Sequence, residues 1–266
     1  MKQETEDREL QTNRTALSLM AHPDDAEILC GGTLALLAQH GWNVVIASMT
    51  PGQAGSTQMN AEQISAVRRK EASAAAVVVS GTYHCLESED VFIMYDKPTL
   101  LKVIALFRKV QPSLVITASP QDYMLDHEIT SHLAQTACMG ATIPNIEIAG
   151  LPVLPQVPHL YYADPVQGKD RFGTSITGDM LVDISTVMNI KEEMLCCHQT
   201  QRDWLRTISK VDEFVLMMKS FSERNGRLIG KQYAEGYRQH LGFSYPQDNL
   251  LGNILNEFVH SLKAKG

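Results

Sequence analysis

One stretch decides the fold: ALSLMAHPDDAEILCGGTLALLAQHGWNVVIASM, residues 16–49. Residues 16–20 are almost entirely apolar and predict a short buried strand. Residues 31–39 have helical content and are soon followed by a glycine, which commonly ends a helix. Residues 43–49 are nearly continuously apolar, as expected for a strand in a sheet that is covered on both faces. The stretch therefore predicts a strand–helix–strand unit.

The same alternation continues to about residue 142. A glycine-rich loop leads into an alanine-rich segment. We predict a helix over residues 61–79, a strand at 83–86, a helix at 98–110 and a strand at 113–118. Alternating strands and helices predict an α/β fold, a three-layer sandwich with a mostly parallel sheet.

The pattern changes after Pro144, where prolines become frequent and the elements become shorter. We predict strands at 159–163 and 180–184 and helices at about 187–199 and 203–225. No polar linker and no internal repeat interrupts the chain. The predicted organisation is a polar N-terminal extension, residues 1–15, followed by a single domain, residues 16–266, with a less regular C-terminal portion.

Net charge, cysteine content and the lack of long apolar runs exclude several classes of protein. The net charge of −7 argues against a nucleic-acid partner and against an anionic membrane surface. Five cysteines without a CxxC pair indicate reduced thiols. No signal peptide is recognisable, and no apolar run approaches the roughly 20 residues that span a bilayer. We therefore expect a cytoplasmic globular protein.

Acidic and histidine side chains follow the first predicted strand. In open α/β sheets ligands bind at the carboxyl ends of the strands, where His22, Asp24 and Asp25 fall. His22 and Asp25 are three residues apart in a turn that contains Pro23, so that imidazole and carboxylate can converge on one cation. Such ligands with an open position for water suit catalytic zinc. The alternative for this pair alone is a turn with a capping carboxylate.

A third ligand is expected from the end of another strand. The fourth strand runs into SPQDYMLDH, residues 119–127, which makes His127 the natural candidate. Asp24 is the carboxylate of the first loop that the metal does not use, and it is the candidate general base for a bound water.

Several motifs resemble the LmbE/PIG-L family of zinc-dependent de-N-acetylases. The main one is AHPDDAE at residues 21–27, followed by CGGTLA at 30–35. The others, in order, are TPGQAG at 50–55, similar to a T-x-G-E loop; Arg68-x-x-Glu71, similar to an R-x-x-E helix; Asp126-His127, similar to the end of an H-P-D-H segment; and Lys191 to Gln201 with His198, similar to K-x(6)-H-x-x-Q. The resemblance covers about residues 16–240.

The resemblance implies a Rossmann-like fold and the same site. His22, Asp25 and His127 would be the zinc ligands and Asp24 the general base. The usual reaction is removal of acetyl from an N-acetylglucosaminyl group, a small-molecule substrate, and the family suggests a homo-oligomer.

One departure from the family concerns Met124, which replaces the first His of H-P-D-H. That histidine is the usual candidate for oxyanion stabilisation or general acid, and a thioether can do neither. Either Asp24 moves the proton both ways, or another residue contributes, or the activity is low.

Further candidates surround this site. We expect substrate contacts from Arg68, Asp122, Tyr123 and His198, and expect Asp126 to orient His127 or a neighbouring side chain. The alternatives are an i,i+3 surface pair of Arg68 with Glu71 and a helix-capping role for His198.

The predicted function is hydrolysis of an N-acetylated amino sugar with zinc. The alternatives are a zinc amidase acting on a sugar conjugate or natural product, and a metal-binding protein without catalysis. A dinucleotide site is excluded, because the glycine pair at residues 31–32 lacks the G-x-G-x-x-G spacing.

Overall fold

The computed structural model describes residues 13–209 and 214–262. Most of the predicted N-terminal extension, residues 1–15, lies outside the described residues. Within them, no helix combines the length and the apolar character that crossing a membrane requires.

One eight-stranded sheet runs through the described residues, in the order β3-β2-β1-β4-β5-β7-β6-β8. The strands are β1 Thr15–Met20, β2 Asn43–Ser48, β3 Thr82–Cys85, β4 Leu114–Thr117, β5 His159–Ala163, β6 Met180–Asp183, β7 Ala234–Gln239 and β8 Val259–Ser261. The first five strands in this order pair in parallel, whereas the pairings of β7 with β5 and β6 and of β8 with β6 are antiparallel. The predicted α/β class with a mostly parallel sheet is confirmed.

Helices cover both faces of the sheet. They are α1 Asp25–Gln39, α2 Ala61–Val78, α3 Lys97–Val110, α4 Leu125–Gly140, α5 Met188–Cys196, α6 Gln199–Ser209, α7 Phe214–Leu228 and α8 Leu250–Ile254. Alternate residues of β1 point to opposite faces: Ala16 and Met20 join the core under α1, α2, α5 and α7, and Leu17 and Leu19 join the core under α3 and α4. The predicted three layers therefore exist.

The first helix begins earlier than predicted. We expected it at Gly31, whereas α1 starts at Asp25, whose carboxylate accepts a hydrogen bond from the backbone N–H of His22 at 2.8 Å. The glycine pair lies within this helix, and Gly32 allows close packing, because a Cβ there would lie 2.7 Å from side-chain carbons of Ile184.

Other differences lie in the C-terminal portion. The predicted helix at 203–225 corresponds to α6 and α7, and residues 210–213 lie outside the described part. Strand β7 was not predicted, because its sequence contains Glu235 and Arg238. Glu235 is only 1% exposed, and Lys191 donates a hydrogen bond to it at 2.7 Å, so this strand buries a charge pair where an apolar residue was expected.

Candidate metal centre and active site

Three of the predicted site residues meet at the carboxyl end of the parallel strands. Nδ1 of His22 lies 3.3 Å from Oδ2 of Asp25, and Nε2 of His127 lies 3.4 Å from the same oxygen. One ligand atom from each of the three lies within 4.8 Å of the others. His22 and Asp25 follow β1, and His127 lies in the first turn of α4, which follows β4. The three side chains meet because β1 and β4 are neighbours in the sheet.

The donor atoms of this group fit a cation. Nε2 of His127 is buried and has no hydrogen-bond partner among the described residues, although it faces Asp25. Burial alone would lower the pKa of His22, but hydrogen bonds to Asp126, Asp25 and Asp90 raise it well above its usual value. Two imidazoles and a carboxylate are ligands that zinc accepts.

Each histidine is backed by buried carboxylates on its other ring nitrogen. Nδ1 of His127 donates to Oδ1 of Asp122 at 3.0 Å. Nε2 of His22 lies 3.2 Å from Oδ1 of Asp90 and 3.4 Å from Oδ2 of Asp126. Such carboxylate–histidine contacts fix the tautomer and direct the opposite nitrogen toward a metal.

The structure places Asp122 differently from the prediction and selects one of the two alternatives for Asp126. Asp122, expected to contact substrate, is fully buried behind His127 and does not line the cleft. Asp126, expected to orient His127 or a neighbouring side chain, contacts His22, which is the neighbour of His127. Asp126 lies in the first turn of α4, which begins at Leu125, whereas Asp122 precedes the helix.

Asp24 occupies the turn between β1 and α1. Its φ of 98° is the left-handed conformation that few residues other than glycine adopt, and its side chain makes no capping hydrogen bond. The carboxylate lines the cleft although the residue is only 4% exposed. Burial, together with the charge of Asp25, raises the pKa of Asp24 to about 7.

Arg68 is buried and also lines the cleft. Its guanidinium donates to the carbonyl oxygens of Gly52 and Gly55, both at 2.9 Å, and to Oε1 of Gln201 on α6. Glu71, one turn further along α2, accepts from the backbone and the hydroxyl of Thr200. The alternative of a surface pair between Arg68 and Glu71 is therefore wrong; these residues join the glycine-rich loop and α2 to the start of α6.

Tyr123 and His198 occupy very different places. Tyr123 is 54% exposed, lines the cleft and packs edge-on against the His127 ring at 5.4 Å between centroids. His198 is 1% exposed, and its Nε2 lies 3.5 Å from Oε1 of Glu27, away from the cleft lining. The position of Tyr123 allows a substrate contact, whereas that of His198 does not favour one. Met124 lines the cleft beside Tyr123.

Sequence reasoning missed Asp90. It follows β3, the third parallel strand, lines the cleft and accepts a hydrogen bond from the backbone of Ala54. Next to it, Val91 has a φ of 73°, which is strained for a β-branched residue, and donates its N–H to Asp126 at 2.8 Å. The signal was available, since Asp90 is an acidic residue just beyond a strand end.

Residues 17–138 match the PIG-L family, described as GlcNAc-PI de-N-acetylase. The chain carries a PIG-L family domain. The resemblance predicted from the motifs is confirmed. The site side chains from His22 to His127 all lie within this PIG-L domain, whereas α6 and α7 follow it along the chain.

This chain is similar to a hydratase and to a deacetylase. A 4-oxalmesaconate hydratase of Pseudomonas putida is 29% identical over 196 residues, covering 69% of this chain and 72% of that protein. A diacetylchitobiose deacetylase of Thermococcus kodakarensis is 27% identical over 246 residues, covering 85% of this chain and 82% of that protein. The crystal structure of a 4-carboxy-2-hydroxymuconate hydratase from Pseudomonas putida has a TM-score of 0.72 at 25% identity and covers 89% of this chain and 99% of that chain.

Proposed function

We propose that this protein is a metal-dependent N-deacetylase that removes acetyl from an N-acetylated amino sugar. The observation that carries the proposal is the convergence of His22, Asp25 and His127 beside Asp24, with Nε2 of His127 lacking a hydrogen-bond partner among the described residues. The family description and the deacetylase of Thermococcus kodakarensis support it.

We propose zinc as the metal, held by His22, Asp25 and His127. Zinc bound there would supply Lewis-acid chemistry to the amide carbonyl and to a water molecule. The chain's own contribution is to fix the two imidazoles through buried carboxylates and to keep Asp24 beside them.

Asp24 then performs the proton transfers. It accepts a proton from the attacking water, whose oxygen bonds to the carbonyl carbon of the acetamide. As the C–N bond breaks, Asp24 returns that proton to the nitrogen, and amine and acetate leave. Met124 has no proton to give, and in this proposal Asp24 serves both steps.

The variant Asp24→Asn tests this assignment. We expect acetate release from N-acetylglucosamine or diacetylchitobiose to fall by about 10²- to 10⁴-fold, the usual contribution of a general base. Zinc bound per chain, measured by metal analysis, should not change. Asp96→Asn, at the exposed start of α3, is the matched control. Wild-type activity in Asp24→Asn would contradict the proposal.

A hydratase is the second candidate. The relative from Pseudomonas putida carries that name, and Met124 stands where the family resemblance expects a histidine. Zinc-loaded protein should then consume 4-oxalmesaconate, followed by NMR, and release no acetate from N-acetylated sugars. An amidase acting on another sugar conjugate would hydrolyse neither test sugar, and a non-catalytic homologue would bind zinc stoichiometrically without turnover of any substrate. The homo-oligomer and the cytoplasmic location stay predictions.

A further inference from the structure

A second cavity lies at the opposite end of the sheet from the metal centre. Arg14 comes directly before β1, Ser113 directly before β4, and His159 is the first residue of β5. These residues line a cavity of about 620 Å³ at the amino ends of three neighbouring parallel strands, which we call the amino-end cavity. The metal-binding cleft has a similar volume, about 660 Å³, and the two cavities have no lining residue in common within the described residues. The proposed reaction therefore leaves the amino-end cavity without a role.

One side of the amino-end cavity is apolar. Trp42, between α1 and β2, lines it together with Leu250 and Ile254 of α8. Leu250 and Ile254 are four residues apart and therefore lie on the same side of this helix. All three side chains are partly buried and pack against the hydrophobic core, which supports the wall from behind. An indole ring beside two aliphatic side chains favours contact with a flat apolar group.

Two histidines of the lining have partners within the protein. Nε2 of His159 lies 2.8 Å from Oδ1 of Asp248, which is the only carboxylate of the lining among the residues that the structure describes. Nδ1 of His40 donates to the carbonyl oxygen of Leu36 at 2.8 Å. The negative charge of this cavity is therefore already paired.

Arg14, in contrast, offers a free cation. Within the described part of the chain, its guanidinium has no hydrogen bond and no ion pair, and only its backbone carbonyl is used, by the N–H of Asn43 at 2.7 Å. The side-chain amides of Gln156 and Asn253 line the same cavity, and they too have no partner among the described residues. A guanidinium presents a planar fork of donors that matches a carboxylate or a phosphate. The charge that this cavity presents to a ligand is positive, although the whole chain carries −7.

We propose that the amino-end cavity binds a small organic anion in which a flat apolar group carries a carboxylate or a phosphate. The anionic group pairs with Arg14, and the flat group lies against Trp42 and the side chains of α8. The amides of Gln156 and Asn253 complete the polar contacts. Cavities of this volume enclose drug-sized ligands through an apolar lining and a few polar groups. The inference does not depend on the proposed deacetylase function, because the cavity and the metal centre lie at opposite ends of the strands.

The two tryptophans of the chain allow each cavity to be observed separately. Trp42 lines the amino-end cavity, and Trp204 lines the metal-binding cleft. In the zinc-loaded variant Trp204→Phe, tryptophan fluorescence therefore comes from Trp42 alone. This variant is titrated with 3-phenylpropionate, 3-phenylpropyl phosphate and 3-phenylpropanol, which share the ring and differ in charge.

Binding should depend on the charge of the probe. We expect a saturable change in the Trp42 emission with at least one of the two anions, and the stronger of them identifies a carboxylate or a phosphate as the preferred group. The alcohol should bind at least about tenfold more weakly, because a hydrogen bond between charged groups contributes at least that factor. No saturable change with either anion, or equal affinity for the alcohol, would overturn the proposal.

Arg14→Gln in the same background tests the charged contact. Both anions should bind at least about tenfold more weakly, whereas the affinity for the alcohol should not change. Arg227→Gln removes the same charge from an exposed position on α7, outside the lining, and is the matched control. Equal weakening in the two variants, or no weakening in Arg14→Gln, would overturn the proposal.

The apolar wall has a separate test. Propionate lacks the ring and should bind at least about tenfold more weakly than 3-phenylpropionate, because it leaves the wall exposed to water. Ile254→Ser should weaken the binding of 3-phenylpropionate, and Ile254→Leu should restore it. Equal affinity for propionate and 3-phenylpropionate would show that the wall does not contact the ligand and would overturn the proposal.

Discussion

Each histidine of the candidate metal centre uses its two ring nitrogens differently. One nitrogen faces Asp25, and the other faces a buried carboxylate: Asp122 behind His127, and Asp90 with Asp126 behind His22. A carboxylate in this position raises the basicity of the imidazole and holds the ring against rotation. Residues outside the proposed ligand set therefore contribute to metal affinity.

Asp122→Asn is expected to weaken zinc binding by about 10- to 100-fold, the usual effect of removing such a partner. The amide is close in shape to the carboxylate but loses the negative charge that supports His127. Competition with a fluorescent zinc chelator measures the dissociation constant. Asp96→Asn, which alters a carboxylate at the exposed start of α3, should leave the constant unchanged. An unchanged constant in Asp122→Asn would show that this contact does not matter for the metal.

Helix α6 depends on α2 for its position. Its second residue, Thr200, donates both its backbone N–H and its hydroxyl to Glu71, at 2.9 Å and 2.6 Å. Arg68 donates a hydrogen bond to Gln201, the next residue of α6. Arg68 and Glu71 therefore position the start of α6, the helix whose Trp204 lines the cleft.

Glu71→Ala should loosen that end of α6. The loss of the capping interaction should cost about 0.5 to 2 kcal/mol of unfolding free energy, the range for helix N-caps. We expect faster hydrogen exchange at the amide of Thr200 and a rise in KM larger than the change in kcat. Glu62→Ala, at an exposed position in the first turn of α2, is the control. Unchanged exchange at Thr200 would contradict the docking role.

Elements differ in how well periodicity predicts them. β1 and β2 are buried on both faces, so their apolar runs were sufficient to predict them. β7 was not predictable in this way, because Glu235 is neutralised by Lys191 from a helix more than forty residues earlier in the chain. The helical pattern placed the start of α1 at Gly31, whereas the helix begins at Asp25 and continues through the glycine pair, where Gly32 lies against Ile184.

Part of the site could likewise be predicted from the sequence, and part of it could not. Rules for strand ends were enough to predict that His22, Asp25 and His127 converge, since their strands are neighbours. Their role as metal ligands remains a proposal. The position of Asp122 was not predictable, because side-chain direction in the turn before α4 depends on where the helix starts. His198 was placed near the site by motif alone. Its ring is buried beside Glu27 and does not line the cleft, although its charge lowers the pKa of Asp24.

A buried carboxyl should make the stability of the whole molecule depend on pH. Burial raises the pKa of Asp164, directly after β5, to about 7, although Arg238 and Arg224 lower it. In the unfolded chain this carboxyl titrates near 3.9, so the native state holds its proton more tightly. The stability that the proton adds is complete below about pH 4 and is lost as the pH rises through 7.

Asp164→Asn should remove this dependence. Relative to the wild type, the unfolding free energy of the variant should increase between pH 5 and pH 7, by at most about 1.4 kcal/mol per pH unit. Urea unfolding at pH 5, 6, 7 and 8 measures the difference. Parallel pH profiles for the two proteins would show that Asp164 is already ionised in the native state.

The central position of β1, between β2 and β4, also determines when the site can form during folding. His22 and Asp126 are separated by 104 residues, and Arg68 and Gln201 by 133. No single helix or hairpin brings such partners together, so these contacts wait for long-range parallel pairing, which is the slow part of folding. An ion that binds His22 and His127 together would add its binding free energy only to chains in which β1 and β4 have already paired.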